Sequence, residues 1–170
     1  YIREVRVGDT GWTRVRNFER SFYDATCIDG LRVIRRSLLQ SVGGYDAGLF
    51  ACEDWDLDRR VLAVTSKVAL TNGHLFHNEE RLTFVRHLRK KQYYSGSFKA
   101  YINKWGRDEI TRRQFGLGYR FFGVFFEKGK WRRAIRHPLY LVAIWGERFC
   151  VGIIYLMVCK FERSHCCGGG

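Results

Sequence analysis

The sequence predicts an α/β chain that runs into amphipathic, interfacial helices. Three observations predict it. Short β-branched runs alternate with segments whose apolar residues recur every three or four positions. A glycine pair, Gly43-Gly44, interrupts the chain just ahead of an acid-rich helix start. The last third then becomes aromatic, apolar and basic at once.

The elements follow in order. The first residues read as an entering loop, with a short helix over residues 15–23. In "GLRVIRRSLLQSVGGYD", residues 31–35 read as a strand and 36–41 as a short helix that the glycines stop. A helix over residues 53–65 carries Trp55, Leu57, Val61, Leu62 and Val64 on its buried side, with acids in its first turn where the helix dipole favours them. Residues 67–71 read as a second strand, and a turn at Asn72-Gly73 leads to His74 and His77. A long amphipathic helix over residues 81–105 follows, with Leu82, Val85, Leu88, Phe98, Tyr101, Ile102 and Trp105 as its apolar positions and Gly96 within it.

The remaining segment has a different character. Residues 149–159 would make a helix of about 16 Å, short of a bilayer core of about 30 Å. Joining them to residues 139–145 would set Glu147 and Arg148 at mid-bilayer, which is costly. Interfacial helices are therefore expected, with Lys128, Lys130, Arg132, Arg133 and Arg136 towards anionic headgroups. A soluble helix pair with a basic rim is the competing expectation. The chain divides accordingly into residues 1–105 and a tail, 106–170.

Composition bounds the function. The 170 residues suffice for one sizeable core, and 46% hydrophobic content argues against disorder. Thirty Lys and Arg against 17 Asp and Glu give a net charge of +13, so an anionic partner is expected: nucleic acid, a membrane surface or a phosphate-bearing substrate. The six cysteines show neither CxxC spacing nor zinc-finger histidines and read as reduced thiols. Cys166-Cys167, beside an apolar run, is an acylation candidate.

Against this positive background, Glu53, Asp54, Asp56 and Asp58 stand within six residues. They can cap a helix, bind a divalent cation through hard oxygens, or supply a general base. Asp56 and Asp58 are expected to be solvated or paired with Arg59 or Arg60.

The run "GGYDAGLFACEDWDLDRRVL" followed by "KVALTNGHLFHNE" resembles the C-terminal half of a family 2 glycosyltransferase catalytic domain, which has the Rossmann-like GT-A fold. The upstream "IDGLRVIRRSLLQSVGGYD" and downstream "RLTFVRHLRKKQYYSGSFKAYINKW" extend the resemblance over residues 18–105. It implies an inverting transfer of sugar from a nucleotide-sugar donor to a lipid-linked or glycan acceptor. Asp54 matches the acid that deprotonates the acceptor, and Glu53 its neighbour. Gly43, Gly44 and Trp55 match the acceptor and donor surroundings, and His77 a metal- or diphosphate-contacting histidine, with His74 its rival. Arg86, Lys90 and Lys91, together with Arg89, would meet the donor diphosphate or form a lipid-facing stripe.

The resemblance further implies a divalent metal, Mn2+ or Mg2+, and a location on the cytoplasmic face of a membrane. The family's metal-binding Asp-x-Asp does not precede the glycine pair. The only such motif, Asp56-Leu57-Asp58, lies inside the acidic helix. A piece of a longer enzyme, inactive without its nucleotide-binding half, is therefore expected, with a degenerate, inactive relative of the family as the alternative. The alternative function is a non-catalytic basic module for membranes or nucleic acid, drawing on interleaved residues such as "RKKQYYSGSFKAY". No known nucleic-acid motif accompanies them, so nucleic acid is the less expected partner.

Overall fold

The computed structural model describes residues 1–79 and 83–166, with side chains through residue 157. The described residues form a mostly helical structure around one small sheet. Strand β1 (Arg3–Val7) pairs in parallel with β2 (His74–Asn78), from Arg3 opposite His74 to Val7 opposite Asn78. A parallel pair needs a long crossover. Here it holds α1 (Gly11–Arg20), α2 (Arg36–Ser41) and α3 (Glu53–Val64). Beyond β2 come α4 (Phe84–Trp105) and α5 (Glu109–Phe115). A π turn (Tyr119–Gly123), α6 (Val124–Phe126) and α7 (Trp131–Ile135) lead to the long α8 (Pro138–Cys166). The α/β character is thus coarse: among the described residues there are two strands and no Rossmann-like sheet.

Local chemistry fixes the elements. The Thr10 hydroxyl caps α1 by accepting from Thr13 N at 3.1 Å. Asn17 then ties α1 to β1, accepting from Arg6 N and donating to Arg6 O, both at 2.8 Å. The turn that ends α2 needs left-handed backbone at Gly43 (φ 79°) and Gly44 (φ 69°). Their N–H groups donate to Gln40 O and Leu39 O.

Several expectations are corrected. Residues 31–35 form no strand; among the described residues the sheet consists of β1 and β2 alone. Residues 67–71 are likewise not a strand; the pairing segment begins at His74. The supposed entering loop contains β1, and the helix predicted over 15–23 runs from Gly11 to Arg20 because Thr10 caps it there. On α3, Leu57 and Val61 are buried as expected, but Leu62 and Val64 are exposed. Asp56 and Asp58 are both buried; of the two outcomes expected, solvation or pairing with Arg59 or Arg60, Asp56 takes the second, with Arg60. Asp56 pairs with Arg60 and Lys104, each at 2.8 Å, and accepts from Trp105 Nε1; Asp58 accepts from the Tyr1 hydroxyl at 2.7 Å. The long helix begins at Phe84 behind a Thr83 cap; Arg81 and Leu82 lie outside the described residues.

The tail holds the largest correction. The two short apolar pieces are one continuous helix, α8. Its stretch Pro138–Met157 is long and apolar enough, by composition, to cross a bilayer. Yet Glu147 and Arg148 face neither lipid nor water. They are buried against α1 and α4, where opposite charges meet them. Val15, Phe22, Ile28, Phe125 and Ile144 form the adjoining apolar core. A second cluster, Tyr1, Leu31, Leu57 and Val61, packs the inner face of α3. Cys27, Cys52 and Cys150 are free thiols; the side chains of Cys166 and Cys167 lie outside the described set.

Candidate functional site

One cavity of about 470 Å³ opens where the sheet, the start of α3, α4 and α8 converge. Glu53, Asp54, Trp55, His77, Lys90 and Lys91 all border it, so six of the residues singled out in the sequence come together. Gly43 and Gly44 do not border it. They shape the end of α2, and Arg60 donates to Gly44 O at 2.6 Å. Arg86 is exposed at the start of α4, away from the cavity lining.

The acids are delivered to the cavity by an unusual turn. Cys52 adopts a left-handed conformation (φ 65°), which a non-glycine residue holds only under constraint from its surroundings. The chain reverses there and α3 starts at Glu53. Burial pushes the Cys52 thiol up to about 12, so it stays protonated and unreactive at neutral pH. Arg32 grips Asp54 through Oδ2 and also binds Glu4. Asp54 Oδ1 takes no hydrogen bond among the described residues. Gly30 lets the backbone pass beside this carboxylate; a Cβ there would stand 2.9 Å from Asp54 Cβ. Trp55 packs edge-on against Tyr101 and Phe115, so its ring belongs largely to the core.

The lining is also strongly cationic, which was not read from the sequence. Arg6, Arg16, Arg20, Arg32, Arg120 and Arg148 join the two lysines there. Some of these charges are neutralised. Arg20 meets Glu4 at 2.9 Å and Asp29 at 3.0 Å, and Arg148 meets Glu19 at 2.7 Å and the Tyr23 hydroxyl at 2.8 Å. Arg16 also grips Glu19, and His87 Nε2 lies 2.8 Å from Glu147. Burial alone would raise the Glu19 carboxyl, but Arg16 and Arg148 outweigh it and hold it well below the ordinary range.

Other cations are left over. Among the described residues Lys90, Lys91 and Arg120 have no carboxylate within ion-pair distance; Lys90 lies over Tyr94 and Arg120 over Tyr23. Three buried guanidinium nitrogens, Arg6 Nη1, Arg16 Nε and Arg148 Nη1, lack any hydrogen-bond partner among the described residues. Unsatisfied buried donors of this kind are costly, and they suit an anionic ligand. One hint was available in sequence: Glu147 and Arg148 inside an apolar run mark a place where charges must find partners.

Burial, reinforced by Arg16, lowers the Lys91 amine to about 8. The unfolded chain therefore holds this proton longer than the folded one as pH rises from about 8 to 10.5. Stability should rise with pH across that window, on this account by up to roughly 3 kcal/mol. Lys91→Met removes the titrating amine and with it this pH dependence. Denaturant melts of both proteins are expected to show the wild type gaining on the variant from pH 8 to 10.5. A constant difference would contradict it.

The residues present do not complete a metal site. Among the described residues no three His, Cys, Asp or Glu side chains are grouped to hold an ion. Among the described residues His77 reaches one carboxylate, Glu4, at 3.8 Å, and Arg20 and Arg32 already bind it. His74 does not border the cavity. Comparison of the chain with known protein families, with characterised proteins and with solved structures yields no match.

Proposed function

We propose that the protein is the acceptor-side part of an inverting glycosyltransferase of the family 2 type. It would carry sugar from a nucleotide-sugar donor to a lipid-linked or glycan acceptor at an anionic membrane surface. One observation supports this most strongly. A carboxylate pair at a helix start and a set of unneutralised cations border the same cavity. Sugar transfer from a nucleotide needs both.

In the proposed step an acceptor hydroxyl attacks the anomeric carbon. Its proton passes to Asp54 Oδ1, the oxygen not held by Arg32. The bond from the anomeric carbon to the diphosphate oxygen breaks, and the nucleoside diphosphate leaves with the electron pair. Lys91, Arg120 and the spare donors of Arg16 and Arg148 stabilise the charge that gathers there. Glu53 helps orient the acceptor. A divalent ion, Mn2+ or Mg2+, would add to that stabilisation in the family. Its ligands are not assembled by the described residues, so no step here passes through it.

The test is transfer of labelled sugar by the intact enzyme and by its Asp54→Asn variant. Transfer that disappears in the variant supports the proposal. Transfer that survives would favour a binding module without catalysis.

A further inference from the structure

A second hollow, of about 560 Å³, lies away from the cavity, between the end of α1 and the segment leading into α8. Its lining holds Arg3, Lys128, Lys130, Arg132, Arg133 and Arg136. The one acid among the described lining residues, Asp24, is taken by Arg3 at 3.2 Å. The cations are held in place. Lys130 Nζ donates to Phe22 O at 2.5 Å, Arg133 Nη2 to Ser21 O at 2.7 Å and Lys128 Nζ to Ala25 O at 3.4 Å. These carbonyls belong to the C-cap of α1, Ser21, and the turns just after it, where acceptors lack helical partners. Each contact uses one donor of a side chain that has three or five, so most donors remain for an anion. Arg136 has no partner among the described residues, and Arg132 lies over the Trp131 ring.

Exposed apolar side chains border these cations. Ile135 is 62% exposed and Leu139 81%, and Phe126 and Trp131 are also open to solvent. Beyond Leu139 the outward side of α8 carries Val142, Phe149 and Leu156, on the helix that turns Glu147 and Arg148 inward. A cationic hollow beside an apolar ridge is complementary to the anionic headgroups and acyl boundary of a bilayer. A soluble polyanion would use the charges and leave the ridge uncovered.

We propose that this hollow is a headgroup site for anionic phospholipid, and that α8 lies along the membrane plane with its apolar ridge inserted. The inference deepens the membrane partner of the proposed function but does not need its chemistry. Vesicles of phosphatidylcholine, with and without phosphatidylglycerol, test it by flotation with the full chain. Arg132→Ala with Arg136→Ala should lower partitioning to the anionic vesicles by roughly 30-fold, since each surface cation contributes about fivefold. Ile135→Ser should weaken binding that remains at high salt. Arg35→Ala with Arg36→Ala, the same charge change outside the hollow, should leave partitioning near wild type.

All these side chains are exposed, and circular dichroism would verify that each variant folds. Equal loss in both double variants would overturn the site, as would wild-type binding by the Arg132/Arg136 pair. Polyphosphate held more tightly than anionic vesicles, with no effect of Ile135→Ser, would overturn the membrane assignment. Asp54→Asn should bind vesicles normally, so failure of the catalytic proposal and failure of this one read out separately.

Discussion

Glu19→Gln is expected to destabilise the protein by about 3–5 kcal/mol, the cost typical of removing one partner from a buried ion pair. Glu19 is fully buried and receives Arg16, Arg148 and the Tyr23 hydroxyl. Glutamine preserves the volume but leaves two guanidinium groups facing each other with only Glu147 nearby, 3.8 Å from Arg16. For a chain of 170 residues the melting temperature should fall by roughly 10 °C. The folded-state carboxyl is held low, so its contribution is present above the unfolded-state value and is lost as pH falls through the folded one. Replacing Arg16, Glu19 and Arg148 together by apolar residues should recover much of the loss, since an apolar triad leaves no buried charge in need of a partner. A single-variant loss under about 1 kcal/mol would mean that this network does not hold α8 to α1.

Asp54→Asn is expected to cut sugar transfer by about 10²- to 10⁴-fold, the usual contribution of a positioned general base. Folding should survive. The Asp54–Arg32 contact is partly solvent-exposed, so losing it costs about 1 kcal/mol or less, and Arg32 keeps Glu4 at 2.5 Å. Asparagine keeps the shape and cannot accept the proton. The loss should therefore fall on kcat, with the apparent affinity for donor nearly unchanged. A parallel fall in melting temperature would instead trace the defect to the Arg32 contact.

Much of the local structure was legible. The bounds of α2, the start of α3 at Glu53 and the end of α4 at Trp105 follow from glycines, acids and apolar spacing that act within a few residues. The pairing of Arg3–Val7 with His74–Asn78 was not, because the partners lie some 70 residues apart and β1 is short and charged. Residues 31–35 have strand-like composition, but composition cannot supply a neighbour. The cavity was half legible. Glu53 and Asp54 stood out against a basic chain. Arg16, Arg120 and Arg148 did not, because Arg148 meets Glu19 across a separation of 129 residues. The same remoteness explains the misread tail. Glu147 and Arg148 interrupt an apolar run only until their partners on α1 and α4 are known.

The central claim is that one cavity unites the Asp54 carboxylate with cations free to take a diphosphate. Calorimetric titration of the full chain with inorganic pyrophosphate, the diphosphate moiety without the nucleoside, tests it most directly, alongside a Lys91→Ala, Arg120→Ala double variant and Asp54→Asn. The account predicts saturable binding by the wild type, binding weakened by at least about tenfold when the two cations are removed, and little change in Asp54→Asn. Equal binding by wild type and the double variant would contradict it, as would no binding by the wild type.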